Sequence, residues 1–194
     1  SPYLQKEMVR NGLKAKIISI NPIYQSGLGR IEKSTENQKQ TKSKNLLYVG
    51  SLIKGKGVDL LIKSLSKIDI NYNLTIAGDG AWRSKLEQLA KNTPMKSKIK
   101  FIGSIGHNEL AILYKNARAV IVPSTLPETF SKAGADALHF GTLPICADVG
   151  GISSWLTHGK NGALFEGGNI EALSEALVKL HNGEFDHIIE KLTS

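Results

Sequence analysis

An α/β sandwich, a parallel sheet covered by helices on both faces, is predicted by three features of this sequence. From Leu46 onward, short apolar runs alternate with helix-period patterns. The apolar runs are continuous rather than alternating, as strands buried on both faces require. Glycine-bearing loops lead from the runs into helices, so the order repeats as strand, loop, helix. The class is Rossmann-like, and no fixed-period sequence repeat accompanies it.

Taken in order, Pro2 to Asn11 reads as a short helix with Leu4, Met8 and Leu13 on one side and Gly12 as its stop. Lys16 to Ile20 reads as a strand ending at Asn21-Pro22. Residues 25–45 are polar and basic with almost nothing to bury, which predicts a flexible connector between a segment at 1–24 and a domain at 46–194. Within that domain, strands are expected near 46–50, 73–77, 99–102, 118–122, 143–147 and 162–165. Helices are expected near 57–67, 81–91, 107–116, 130–140, 152–157 and 169–181. In the last of these, Leu173, Ala176, Leu177 and Leu180 have the spacing of an amphipathic helix laid on the sheet.

A chain of 194 residues with 41% hydrophobic and 22% charged content can bury a full core, which excludes a disordered class. Its apolar runs fall short of the roughly 18 residues of a membrane span, and SPYLQKEMVR has no apolar signal core. A soluble, cytoplasmic protein is expected. The single cysteine, Cys146, lies inside an apolar strand and fits a buried core residue in a reducing compartment. The net charge of +8 is uneven: residues 1–56 hold 11 Lys and Arg against 3 Glu, and the rest balances at 14 against 14. Such an excess attracts nucleic acid, anionic lipid or phosphorylated ligands, or it simply keeps a linker solvated.

The loops carry the candidate chemistry. Gly50 to Gly57, GSLIKGKG, follows a strand and opens a helix, with the glycine and lysine spacing of a phosphate-binding P-loop. Gly57 stands where such a loop needs Ser or Thr for magnesium, which argues against an NTPase. What survives is Lys56 at a helix start, suited to a phosphate or else a surface lysine on a tight turn. In the second loop, Asp79 between two glycines could contact a ligand but reads rather as a turn former or N-cap, and the cap is the expectation. In the third, Asn108 is placed to cap the next helix, and Gly103 would let a flat ring lie against the backbone.

The stretch from Val120 to Ile152, VIVPSTLPETFSKAGADALHFGTLPICADVGGI, carries the strongest signal. A strand leads through a loop with Glu128 into a helix with Asp136, placing carboxylates and helix-start N–H groups at the edge where open α/β sheets bind ligands. Eight helical positions span at most about 12 Å, the scale of a nucleotide-sugar. Thr129, Phe130 and Ser131 would form the helix start between the two acids. Asp136 sits among small apolar residues and needs a partner, either a ligand diol or an internal cation.

The run YVGSLIKGKGVDLLIKSL, followed by LTIAGDGAWRSKLEQLA, FIGSIGHNELAILYKNARAVIVPS, PETFSKAGADAL, GTLPICADVGGI and HGKNGALFEGGNIEALSEAL, resembles the C-terminal, donor-binding domain of family-4 glycosyltransferases, glycosyl transferases group 1, with the GT-B fold. The resemblance covers residues 46 to about 181. KIISINPIY, Lys16 to Tyr24, resembles the family's inter-domain segment, so residues 1–24 would end a preceding domain and the chain would be a fragment of a protein about twice its length. The resemblance implies that Glu128 is catalytic and faces the donor sugar, that Asp136 faces the ribose, and that Lys56 binds the diphosphate. It places Ser51 beside that lysine, Ser104 and Ile105 near the nucleobase, and Thr129, Phe130 and Ser131 along the donor. Gly150-Gly151 matches a structural turn, and Phe185 to Leu192 matches the start of a last helix.

The implied reaction is transfer of a hexosyl unit from a nucleoside diphosphate sugar to a glycan or lipid-linked acceptor hydroxyl, with retention at the anomeric carbon. It implies no cofactor and no metal, and the sequence has no Asp-x-Asp pair; His107, His139, His158, His181 and His187 are scattered. The donor is the expected partner, with the acceptor bound by the missing half, peripheral membrane contact through the basic part, and no nucleic acid. Three departures stand out. Asp136 replaces a glutamate, Ser51 replaces an arginine, and Thr129 and Ser131 replace the glycines of the usual E-G-F-G run. These leave a catalytically inactive nucleotide-sugar or glycan-binding module, or a sugar-nucleotide epimerase, as alternatives.

Overall fold

The computed structural model describes residues 2–12 and 43–193. The strand expected at Lys16–Ile20 and the connector as far as residue 42 lie outside the described residues. Helix α1 (Pro2–Arg10) forms on the expected pattern.

Strands β1 (Asn45–Val49), β2 (Asn73–Ala77), β3 (Ile99–Gly103), β4 (Ala119–Val122), β5 (Leu143–Asp148) and β6 (Ala163–Glu166) form one parallel sheet in the order β3-β2-β1-β4-β5-β6. The connecting helices are α2 (Val58–Lys67), α3 (Arg83–Lys91), α4 (His107–Asn116), α5 (Lys132–His139), α6 (Ile170–His181) and α7 (Asp186–Thr193). The class is α/β and Rossmann-like, as the apolar runs require.

Period-two geometry explains why the central runs, in β1, β4 and β5, are apolar at successive positions. Leu46, Tyr48, Ala119, Ile121, Ile145 and Ala147 join one core with Leu61, Leu65, Leu173 and Leu177 of α2 and α6. Their neighbours Leu47, Val120, Val122 and Cys146 point the other way and pack with Tyr114, Ala137 and Phe140. The Tyr114 and Phe140 rings stack at 5.2 Å on that second face.

Four local expectations change. Residues 152–157 form only a 3-10 turn, Ile152–Ser154, because Trp155, at φ −132° and ψ −22°, departs from helical geometry. Asn45, assigned to the connector, is the first residue of β1 and pairs with Asn73. The α4 N-cap is Gly106, whose N–H donates to Glu109 Oε2 at 3.3 Å, so Asn108 lies inside the first turn and caps nothing. Asp79 is a turn former rather than a helix cap: Oδ1 accepts from Gly80 N at 2.7 Å and Oδ2 from the Arg83 guanidinium at 3.0 Å, while Trp82 occupies the α3 cap position.

Cys146 is fully buried in β5, and burial pushes its thiol far above the ordinary range. Since the thiolate is the reactive form, iodoacetamide at pH 8 is expected to label the folded chain only at the rate of unfolding. Labelling at the rate of an exposed thiol would show that β5 is not sealed.

Candidate functional site

The strand order reverses between β1 and β4, so the loops leaving their carboxyl ends diverge and open a crevice between them. Glycines bring the two loops together. Gly57 adopts φ 71°, and a Cβ there would stand 1.7 Å from the Pro123 carbonyl oxygen. The Gly55 carbonyl accepts from Thr125 N at 2.8 Å, and a Cβ on Gly55 would meet the Leu126 side chain at 2.5 Å. The hydroxyl-bearing residue of a P-loop is excluded at position 57 by this backbone contact, which is the physical content of the departure seen in the sequence.

The docking carries Lys56 to Glu128. Lys56 Nζ donates to Glu128 Oε1 at 2.6 Å, across 72 positions of sequence, and Ser124 Oγ donates to the same oxygen at 2.6 Å. The two side chains retain 32% and 16% exposure, so the pair is sheltered yet open to a ligand. From behind, Glu128 is fixed by a parallel bridge to Gly150: Gly151 N donates to the Glu128 carbonyl at 2.6 Å, and a Cβ on Gly150 would stand 2.4 Å from that oxygen. The Gly150-Gly151 turn thus supports the loop that presents Glu128. Ser124 has no local signal that marks it; only the shared partner reveals it.

At the carboxyl ends of β1, β2 and β3 lies an open cavity of about 290 Å³ lined in part by Gly50, Ser51, Gly78, Ser104, Ile105 and Leu110, with neither Lys56 nor Glu128 on its lining. The structure brings Ser51, Ser104 and Ile105 to one cavity. Tyr48 holds this wall: its hydroxyl donates to the Ser51 carbonyl at 3.0 Å. Burial, then the Glu128 carboxylate, pushes that hydroxyl well above its usual value, so it remains a donor at any physiological pH. Gly103 lies at φ 74° with Arg83 against it, 3.3 Å from the position of a Cβ, so the position next to it is occupied by a guanidinium.

At the start of α5 the structure corrects the sequence. The helix begins at Lys132, not 130, so Thr129 and Phe130 are loop residues; Thr129 is exposed and Phe130 leans on Trp155 at 5.7 Å between ring centres. Ser131 is the N-cap, accepting from Gly134 N at 3.4 Å, and among the described residues it is the one non-glycine at positive φ, 60°. That conformation costs an L-residue about 1–2 kcal/mol. A glycine in its place loses only a few tenths as a cap. Ser131→Gly is therefore expected to raise stability by about 1 kcal/mol, read as an increase of roughly 2–4 °C in Tm; a lower Tm would show that the hydroxyl outweighs the strain.

Asp136 is buried at 3% exposure, and Lys132 Nζ donates to its Oδ2 at 2.7 Å. Of the two partners considered for Asp136, the internal cation is present. Lys132 was legible as the i, i+4 neighbour of Asp136 and was missed. Its own side chain is 63% exposed and can swing aside. Among the described residues there is no group of three or more His, Cys, Asp or Glu suited to a metal ion, and no helix is long and apolar enough to cross a membrane.

Residues 29–191 match the family model described as glycosyl transferases group 1. The chain belongs to this family. It is 29% identical over 192 residues to the O-antigen chain mannosyltransferase RfbU of Salmonella typhimurium, covering 93% of this chain and 52% of that protein. The solved structure of sucrose-phosphate synthase from Thermosynechococcus elongatus matches 100% of this chain and 51% of its own at 24% identity, with a TM-score of 0.85. An Anabaena protein, Alr3699/HepE, solved in complex with UDP, matches 78% of this chain and 42% of its own at 22% identity, with a TM-score of 0.69. At these identities the two structures bear on the fold, which they share with this member of the family. The chain spans 32% to 52% of the length of the first curated relatives it matches.

Proposed function

We propose that this chain is the donor-binding part of a retaining hexosyltransferase that uses a nucleoside diphosphate sugar, with residues 46–194 as the binding domain. The observation that carries the reading is the Lys56–Glu128 pair at the sheet's switch point, at the same carboxyl edge as the cavity lined by Ser51, Ser104 and Ile105. In this reading the base and ribose enter the cavity side, and the diphosphate takes Lys56 and the N–H groups at the α5 start. Glu128, released by the lysine, faces the hexose. A leaving diphosphate gains charge as the bond to the anomeric carbon breaks, so a positioned ammonium stabilises the transition state more than the ground state.

The scheme uses the donor as co-substrate, with neither cofactor nor metal, and leaves the glycan or lipid-linked acceptor to a preceding domain. Cytoplasmic placement with contact to an anionic membrane face, through the basic N-terminal part, belongs to the same proposal. One observation favours a second reading, a binding module without transfer: Asp136 is already tied to Lys132 and Ser51 supplies no charge. Isothermal titration with uridine and guanosine diphosphates and their hexose conjugates tests donor recognition. Product analysis with a longer chain that includes the preceding domain then separates transfer from binding alone. Failure of all these ligands to bind would count against donor recognition in both readings and leave glycan binding alone.

A further inference from the structure

A second cavity of about 290 Å³ opens at the other edge of the sheet. Ser43 and Lys44 precede β1, Tyr72 precedes β2 and Arg118 precedes β4, so these residues sit at the amino ends of parallel strands. His181, Asn182, Gly183 and Asp186, from the end of α6 to the start of α7, close the cavity. It is thus separated from the donor crevice by the length of the strands.

The residue that shapes it is Arg118, 5% exposed. Its Nη2 donates to the Leu180 carbonyl at 2.9 Å and to Asp186 Oδ1 at 2.7 Å. Its Nε is buried and makes no hydrogen bond. A guanidinium carries five N–H donors, and a buried donor left unfilled costs about 1–3 kcal/mol, more when charged. Around it stand the Lys44 ammonium, the Asn182 amide, the His181 ring and Tyr72, whose hydroxyl accepts from the Arg118 guanidinium and whose ring meets His181 edge-on at 6.0 Å. Asp186 is the one carboxylate on the lining and is already committed to Arg118. Two cations, Arg118 and Lys44, therefore face a single carboxylate, and the missing complement is a compact, multiply accepting anion.

We propose that this amino-edge cavity, with buried Arg118 at its wall and Lys44, Tyr72 and His181 at its mouth, binds a phosphate group, free or carried as a phosphomonoester. The site is independent of the donor reading. Arg118 supplies charge-assisted bonds of fixed geometry, and Lys44 and His181, both exposed, complete the shell from the rim.

The test uses the full chain carrying Lys56→Ala, which removes the donor-side lysine so that phosphate bound there does not confuse the result. Inorganic phosphate is titrated against chloride at matched ionic strength, with amide shifts at Asn182 and Gly183 as the local readout. Glycerol phosphate forms a second arm. Vesicles of phosphatidylcholine with and without phosphatidic acid form a third, separating a lipid headgroup from a soluble source. Saturable binding is expected in at least one arm, weakened at least fivefold by Lys44→Ala with His181→Ala and abolished by Arg118→Gln. If Arg118→Gln does not fold, the rim pair decides, because both residues are exposed. Absence of binding in all arms, or binding that the rim pair leaves unchanged, would overturn the proposal.

Discussion

Gly57→Ala is expected to destabilise the chain by about 3 kcal/mol and to part Lys56 from Glu128. Two costs combine. The backbone lies at φ 71°, which costs a residue with a Cβ about 1–2 kcal/mol, and the new Cβ would fall 1.7 Å from the Pro123 carbonyl oxygen. Backbone cannot yield there as a flexible side chain would, so the β1 and β4 loops must separate, an overpacking cost of about 1–3 kcal/mol. The parting also breaks the Thr125 and Leu126 N–H bonds to the Gly55 carbonyl. Urea denaturation should show a lower midpoint with an unchanged slope, and donor affinity should fall with it. A variant of wild-type stability would mean that the loops are not locked to each other as the structure has them.

The second large effect separates the two halves of the ion pair. Lys56→Ala removes a charge-assisted contact to the diphosphate, worth about 1.5–3 kcal/mol, or roughly ten- to a hundredfold in affinity. It also leaves the Glu128 carboxylate, at 16% exposure and without its cation, facing the incoming anion. Both changes oppose binding, so nucleoside diphosphates and their sugars should weaken together. Glu128→Ala should act differently. It frees Lys56 from a 2.6 Å bond that the diphosphate otherwise has to replace, so nucleoside diphosphate alone should bind as well as before or better. The contact to the hexose is lost, so the sugar conjugate should lose its advantage over the bare diphosphate. Equal losses for both ligands in Glu128→Ala would place the carboxylate away from the sugar.

The architecture was readable because both faces of the sheet are covered: the central strands β1, β4 and β5 show near-continuous apolar runs, and helix-period segments alternate with them. Helix ends were less readable. Asn108 looks like a cap by type, but Glu109 reaching back to the Gly106 N–H fixes the start two residues earlier. Ser131 at φ 60° shortens α5, a conformation for which a serine gives no sequence signal. Within the site, Ser51, Ser104 and Ile105 are candidates through the family resemblance, and they line one cavity because each follows a strand of the parallel set. The union of Lys56 with Glu128 was not, since it depends on Gly57 meeting the backbone of Pro123. Tyr48 and Ser124 act only through contacts made after folding. The amino-edge cavity draws on the starts of three strands and the end of a helix, and no local pattern announces it.

Titration of the wild-type chain and Lys56→Ala with uridine and guanosine diphosphate sugars tests the central claim most directly. The donor that binds the wild type should bind the variant at least tenfold more weakly, while the two proteins unfold at the same temperature within a few degrees. Equal donor affinity in the two would contradict the placement of the diphosphate beside Lys56.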